Sequence, residues 1–165
     1  MIDSTLFREA MAHVSSAVSI VTTDGEAGRT GMTVSAVCSV TDTPPTLLVC
    51  INRNSRSHDI FLHNGVFCVN VLNADHQELS GLFASKADQE SRFSQAIWHK
   101  GVTGSPILED AVVSFDCRID TISDVGTHSV IFGVIQNIEI RHSCQALVYF
   151  RRRYHALDVQ LETQT

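Results

Sequence analysis

The sequence of 165 residues predicts a mainly β protein: a closed antiparallel barrel of six to seven strands with short flanking helices. Three observations predict it. Short apolar runs rich in β-branched residues recur along the chain. They come in neighbouring pairs divided by turn residues rather than alternating with helices, which disfavours a doubly wound sheet. The two longest runs, Val112–Ile122 and Ser129–Ile140, are joined by SDVGTH, as a hairpin requires.

Residues 4–15 predict an amphipathic helix, with Phe7, Ala10, Met11 and Val14 at helical spacing and Asp3 or Ser4 as its cap. Val18–Thr23 is a β-branched strand, and DGEAGRTG is a turn. Met32–Val40 alternates, which places Thr33 and Ser35 on one strand face. Pro44-Pro45 ends that strand, because proline cannot donate to a ladder. Thr46–Ile51 is apolar on both faces and predicts an inner strand. A helix then starts near Ser55 or Ser57 and stops at Gly65. Phe67–Leu72 is a buried strand, and Asp75–Ser85 has helical spacing through Leu79, Leu82 and Phe83. Residues 86–106 are irregular, and Leu147–Phe150 is a last short strand. Residues 1–165 form one domain, with a loose polar tail after about residue 157.

Composition narrows the function. A net charge of −6 disfavours a nucleic-acid surface, which needs a basic stripe. The one basic cluster, Arg151-Arg152-Arg153, reads as a solvated strand end or an anion site. No leader pattern opens the chain, and no stretch is long enough to span a bilayer. The cysteines Cys38, Cys50, Cys68 and Cys117 lie in apolar runs and Cys144 outside them; none makes a C-x-x-C pair. Buried reduced thiols in a cytoplasmic protein are expected. There is no G-x-G-x-x-G after a strand, no P-loop, no G-x-S-x-G and no H-E-x-x-H. The eight histidines lack metal-ligand spacing, so no metal is expected.

What chemistry remains is local. Asn52-Arg53-Asn54-Ser55-Arg56-Ser57 precedes a helix start, with the hydroxyls, guanidinium groups and backbone amides that suit a phosphate. A solvated capping loop has the same composition. Thr33 and Ser35 could bond the polar edge of a planar ring, or face solvent. Gly126-Thr127-His128 marks a hairpin tip with an imidazole at the barrel end. Lys86 could reach a phosphate oxygen, and Tyr154 could stack on a ring or pack in the core.

The ordered segments Thr33–Val40, Asp42–Arg53, Phe67–Leu72, Trp98–Pro106, Leu108–Arg118, Val125–His128 and Tyr154–Leu157 resemble the small flavin reductases of two-component monooxygenases. Among these the reductase partners of pyrimidine-degrading and 4-hydroxyphenylacetate monooxygenases are the nearest in pattern. The resemblance implies an FMN-binding split barrel, a homodimer, and hydride transfer from NADH to FMN. FAD and NADPH are the alternative ligands, and diffusing reduced flavin would reach a partner oxygenase. It also implies site roles. Thr33, Val34, Ser35 and Ala36 would bond the isoalloxazine ring. Asn52, Ser55, Arg56 and Ser57 would hold the phosphate, with Phe83, Ala84 and Lys86 approaching it. His128 would serve the nicotinamide as the catalytic residue, and Tyr154 would border the pocket. The rival readings are an FMN enzyme with a corrin or metal-chelate acceptor, an amine oxidase on a similar barrel, and a non-catalytic flavin-binding module.

Overall fold

A computed structural model describes residues 1–159. In chain order the elements are α1 (Ser4–Ala12), β1 (Ser16–Ala17), β2 (Ser19–Thr23), β3 (Thr30–Val34), β4 (Val37–Asp42), β5 (Pro45–Asn52), α2 (His58–Asn64), β6 (Val66–Val71), a 3-10 turn (Ala74–His76), α3 (Gln77–Ala84), α4 (Gln89–Phe93), β7 (Trp98–Lys100), β8 (Pro106–Leu108), β9 (Val113–Val125), β10 (His128–Ile140), β11 (Ala146–Phe150) and β12 (Arg153–Leu157).

Seven strands form one antiparallel sheet in the order β3-β2-β6-β9-β10-β5-β4. The two edge strands, β3 and β4, are consecutive in the chain, and only Ser35 and Ala36 separate them. Val34 and Val37 are three residues apart, so their Cα atoms lie within about 11 Å. The sheet must therefore curl until its edges meet. The chain itself closes the barrel, and no ladder joins the two edges. This corrects the reading of Met32–Val40 as one strand. The period of two continues through Ser35 and Ala36, but the backbone leaves one edge at Val34 and joins the other at Val37.

Successive residues of β2 point to opposite faces, and all five are buried. Val21 joins Val49, Ile51, Phe61, Phe67 and Ile131 in the core cluster of the barrel. Ile20 and the preceding Val18 join Leu79, Phe83, Phe93 and Leu147 on the outer face, beneath α3 and α4. Gly65 ends α2 in the left-handed region at φ 69°, as a terminal glycine should.

Other expectations are revised. The α1 helix stops at Ala12, and none of its residues is buried; Leu6, Phe7 and Met11 stay exposed. The 86–106 stretch contains α4 and β7 and the first residue of β8, each element too short to show a period. The hairpin turn narrows to Gly126-Thr127 because β9 and β10 extend further than their apolar runs. The basic cluster is itself a turn, with Arg151 and Arg152 at φ 51° and 60° between β11 and β12. All five cysteines are free; Cys68 and Cys117 are buried, whereas Cys38 is exposed on the edge strand β4. Burial, with nearby Asp116, pushes the Cys117 thiol up to about 12, so it behaves as core. The expected loose tail lies largely outside the described residues. No helix among the described residues is long and apolar enough to cross a membrane.

Candidate active site

Seven of the residues singled out in the sequence converge on one hollow of about 820 Å³. Thr33 comes from β3; Ser55, Arg56 and Ser57 come from the loop after β5; Phe83, Ala84 and Lys86 come from the end of α3. Thr30, Met32, Ile60, Gln89 and Arg92 complete much of the wall.

Local hydrogen bonds shape each wall. Asn52 Oδ1 accepts from the Asn54 amide at 2.9 Å and turns the chain out of β5. Ser55 Oγ accepts from the Ser57 amide at 3.2 Å. Ser57 Oγ lies 2.6 Å from Thr30 Oγ1, which binds the loop to β3. Ser57 is buried, so Ser55 and Arg56 offer the more accessible polar groups of the loop. On the opposite wall Ser85 Oγ donates to Leu82 O at 2.7 Å and accepts from the Ala87 amide at 3.1 Å. Asp88 caps α4 by accepting from the Ser91 amide at 2.8 Å and Ser91 Oγ at 3.0 Å. Those bonds, the amide first, hold the Asp88 carboxyl below its usual range, so it stays ionised.

Arg92, which the sequence did not single out, also lines the hollow. It is 9% exposed. Its Nη1 donates to Gly31 O at 2.8 Å, and Nη2 donates to Ser85 O, so one side chain ties β3 to the end of α3. Desolvation lowers its pKa, with Asp88 opposing, and the guanidinium remains protonated at neutral pH. Gly31 must be glycine: a Cβ there would sit 2.8 Å from the Phe83 ring and 3.2 Å from that of Phe93. The segment of Arg92 shows no periodicity, so no local sequence signal marked it.

The electrostatics select the ligand. Arg56, Lys86 and Arg92 face the hollow, and Asp88 is the one carboxylate lining it. Among the described residues no carboxylate pairs with any of these three cations. A chain of net charge −6 thus holds a locally positive hollow. Met32 and Ile60, both half-buried, give it apolar surface. These residues fit FMN: a flat ring against the apolar wall and a phosphate among the cations.

The remaining sequence candidates sit around this hollow rather than in it. The Val34 side chain is in the barrel core, so only its backbone can serve a ring. Ser35 and Ala36 are exposed at the seam, and among the described residues their amides have no backbone acceptor. Thr33, by contrast, lines the hollow, but its Oγ1 donates to Ser80 O at 2.6 Å, so this hydroxyl is engaged with α3. Tyr154 OH meets Ser80 Oγ at 2.8 Å and supports α3 from outside the hollow. Asn52 and His128 are cross-strand partners at the start of β10. His128 Nδ1 lies 2.8 Å from Thr127 Oγ1. Beside the tip is a shallower hollow of about 460 Å³ lined by Arg53, Asn54, His58, Asp59, Gly126 and Thr127. Among the described residues no group of three or more His, Cys, Asp or Glu could hold a metal ion.

Fold and hollow together define a split-barrel protein equipped for a flat, phosphorylated, anionic ligand. The chain belongs to the flavin reductase like domain family, which matches residues 11–158. It is 54% identical over 157 residues to the FMN reductase (NADH) RutF of Cronobacter sakazakii, covering 95% of each chain. It is 54% identical over 151 residues to the protein of that name from Variovorax paradoxus, covering 92% of this chain and 84% of the other. Its fold matches that of BorF, the flavin reductase component of a bacterial two-component tryptophan halogenase. There the TM-score is 0.89 at 30% identity, covering 96% of this chain and all of BorF (100%).

Proposed function

We propose that this chain reduces FMN with NADH and releases the reduced flavin to a separate oxygenase. The observation that carries this reading is the hollow in which three cations, without carboxylate partners among the described residues, surround apolar surface. The identity to NADH-dependent FMN reductases supports it. Flavin held there would supply the redox chemistry, as the acceptor of the nicotinamide's hydride. The protein's task is to hold the two rings in register and to exclude water. Ser55, Arg56 and Lys86 grip the phosphate. Arg92 adds buried positive charge and fixes both walls. The amides of Ser35 and Ala36 offer donors to the polar edge of the ring. Met32 and Ile60 cover its apolar face. His128 orients the nicotinamide from the hairpin tip.

A homodimer fits the same reading. The outer half of β9 is exposed on both faces, and β4 is almost wholly exposed. Val40, Ile122, Val125, Ile138 and the apolar side of α1 lie open in the single chain. Such uncovered apolar surface suits a second copy. Five free thiols suit a reducing cytoplasm.

The test is direct. The purified protein is mixed with NADH or NADPH and with FMN, FAD or riboflavin in turn, and nicotinamide oxidation is followed. Rapid NADH oxidation with FMN is expected. No oxidation with any flavin would sink the proposal.

A further inference from the structure

A buried polar chain joins the phosphate loop to the hairpin tip. Ser129 is fully buried. Its Oγ donates to Asp124 Oδ1 at 2.6 Å and lies 2.8 Å from His58 Nε2. A hydroxyl has one proton, and the Asp124 carboxylate takes it, so Nε2 of His58 carries the hydrogen of the second contact. Nδ1 of His58 lies 2.9 Å from Asp59 Oδ1. On the outer side, Arg53 Nε is 3.9 Å from Asp124 Oδ2, and Arg53 Nη1 donates to Gly126 O at 3.4 Å. The Arg53 amide donates to Thr127 O at 2.9 Å. Serine, histidine and aspartate here do not form a nucleophilic set, because the Ser129 proton points away from the imidazole and no substrate can reach Oγ.

Position gives this network a role. The outer end of β9 is exposed, so beyond its ladder to β10, and that of β10 to β5, these side-chain bonds are what ties Asp124–His128 to the loop after β5. His58 directly follows Ser57, whose hydroxyl meets Thr30 at the wall of the large hollow. Ser129 directly follows His128.

We infer that His58 and Ser129 are positioning residues that lock the hairpin tip to the phosphate loop, so that flavin seated at Ser55–Ser57 sets the nicotinamide side of the site. This rests on the flavin reductase reading above. Without the lock, the tip would sample arrangements unfit for NADH while the flavin hollow stayed intact.

The test uses Ser129→Ala, His58→Leu and His58→Gln in the full chain. Three quantities are measured: FMN affinity by flavin fluorescence, steady-state kinetics in NADH, and amide exchange across residues 52–54 and 124–128. Ser129→Ala and His58→Leu should leave FMN affinity within about twofold, and reduce kcat/KM for NADH about tenfold, the worth of one buried hydrogen bond. Exchange at the tip should accelerate, and FMN should no longer slow it. His58→Gln keeps a donor near Nε2 and should restore most of the loss. Equal loss of FMN affinity and NADH use, or unchanged exchange at the tip, would overturn the inference. If Ser129→Ala does not fold, Asp124→Asn, on the solvent side of the same chain, must show the same split in weaker form. If the unaltered protein oxidises no NADH, the functional reading fails, and the exchange measurement still decides the lock.

Discussion

Two hollows flank α3, and they carry opposite charge. The one at its C-terminal end, of about 820 Å³, holds Arg56, Lys86 and Arg92. The other, of about 680 Å³, lies along Glu78, Leu79 and Leu82 and is rimmed by Asp75, Glu109 and Asp110. Both have apolar floors and similar size, so volume cannot say which accepts a phosphorylated ring. Charge does. His76, the basic side chain in the acidic hollow, is already engaged by Asp110 at 3.0 Å. The lesson is that the helix separates two environments, and only the one whose cations have no carboxylate partner among the described residues suits a flavin phosphate.

The largest effect should come from removing the buried cation. Arg92→Leu strands the carbonyls of Gly31 and Ser85 and deletes a positive charge. Charge-assisted hydrogen bonds contribute about 1.5–3 kcal/mol each, so FMN affinity should fall about 100-fold. Fluorescence titration measures it; unchanged affinity would remove Arg92 from the site. Gly31→Ala comes next. Its methyl meets two aromatic rings, and overpacking of this kind costs about 1–3 kcal/mol. At about 2–4 °C per kcal/mol, the thermal midpoint should fall measurably.

A charge exchange between the hollows sharpens the contrast further. Arg56→Glu or Lys86→Glu should weaken FMN about tenfold and spare riboflavin, which has no phosphate. Glu78→Lys, on the acidic side, should change FMN affinity by less than about twofold. Equal effects from both sides would show that the hollows are not electrically distinct.

The smallest effect is a pH dependence on the acidic side. His99 lies 2.8 Å from Glu109 and 3.1 Å from Glu139. The hydrogen bond that His99 donates to Glu139, chiefly, raises its pKa above 6.5. A raised histidine pKa stabilises the fold fully below the unfolded value, and the gain is lost as pH rises through the folded value. The thermal midpoint should therefore drift down above about pH 6.5, and Glu139→Gln should flatten that drift.

The two regions also differed in how far they could be read from sequence. Long alternating runs announced β9 and β10, and Gly65 announced the end of α2, because periodicity and terminal glycines are local signals. The loop Asn52–Ser57 was visible because its residue types suit an anion. Arg92 was not, since its meaning depends on Gly31 and Ser85 meeting it across the fold. The α4 and β7 segments were too short to display a period. The β11–β12 turn was hidden because arginine, not asparagine or glycine, occupies its left-handed positions. The break at Ser35–Ala36 was invisible for another reason: alternation continues through it, and only the curl of the whole sheet separates the two strands.

That break has a practical consequence. The hydrogen-bonded order starts at β3 and ends at β4, so the covalent link through Ser35 and Ala36 is the barrel's seam. Cutting the chain there severs no ladder. With the natural ends joined by a linker, a permuted chain beginning at Ala36 would keep every strand pair of the sheet and lose only the clasp between its edges. The barrel would then be a sheet rolled but unfastened, open along the line where the ring is proposed to lie.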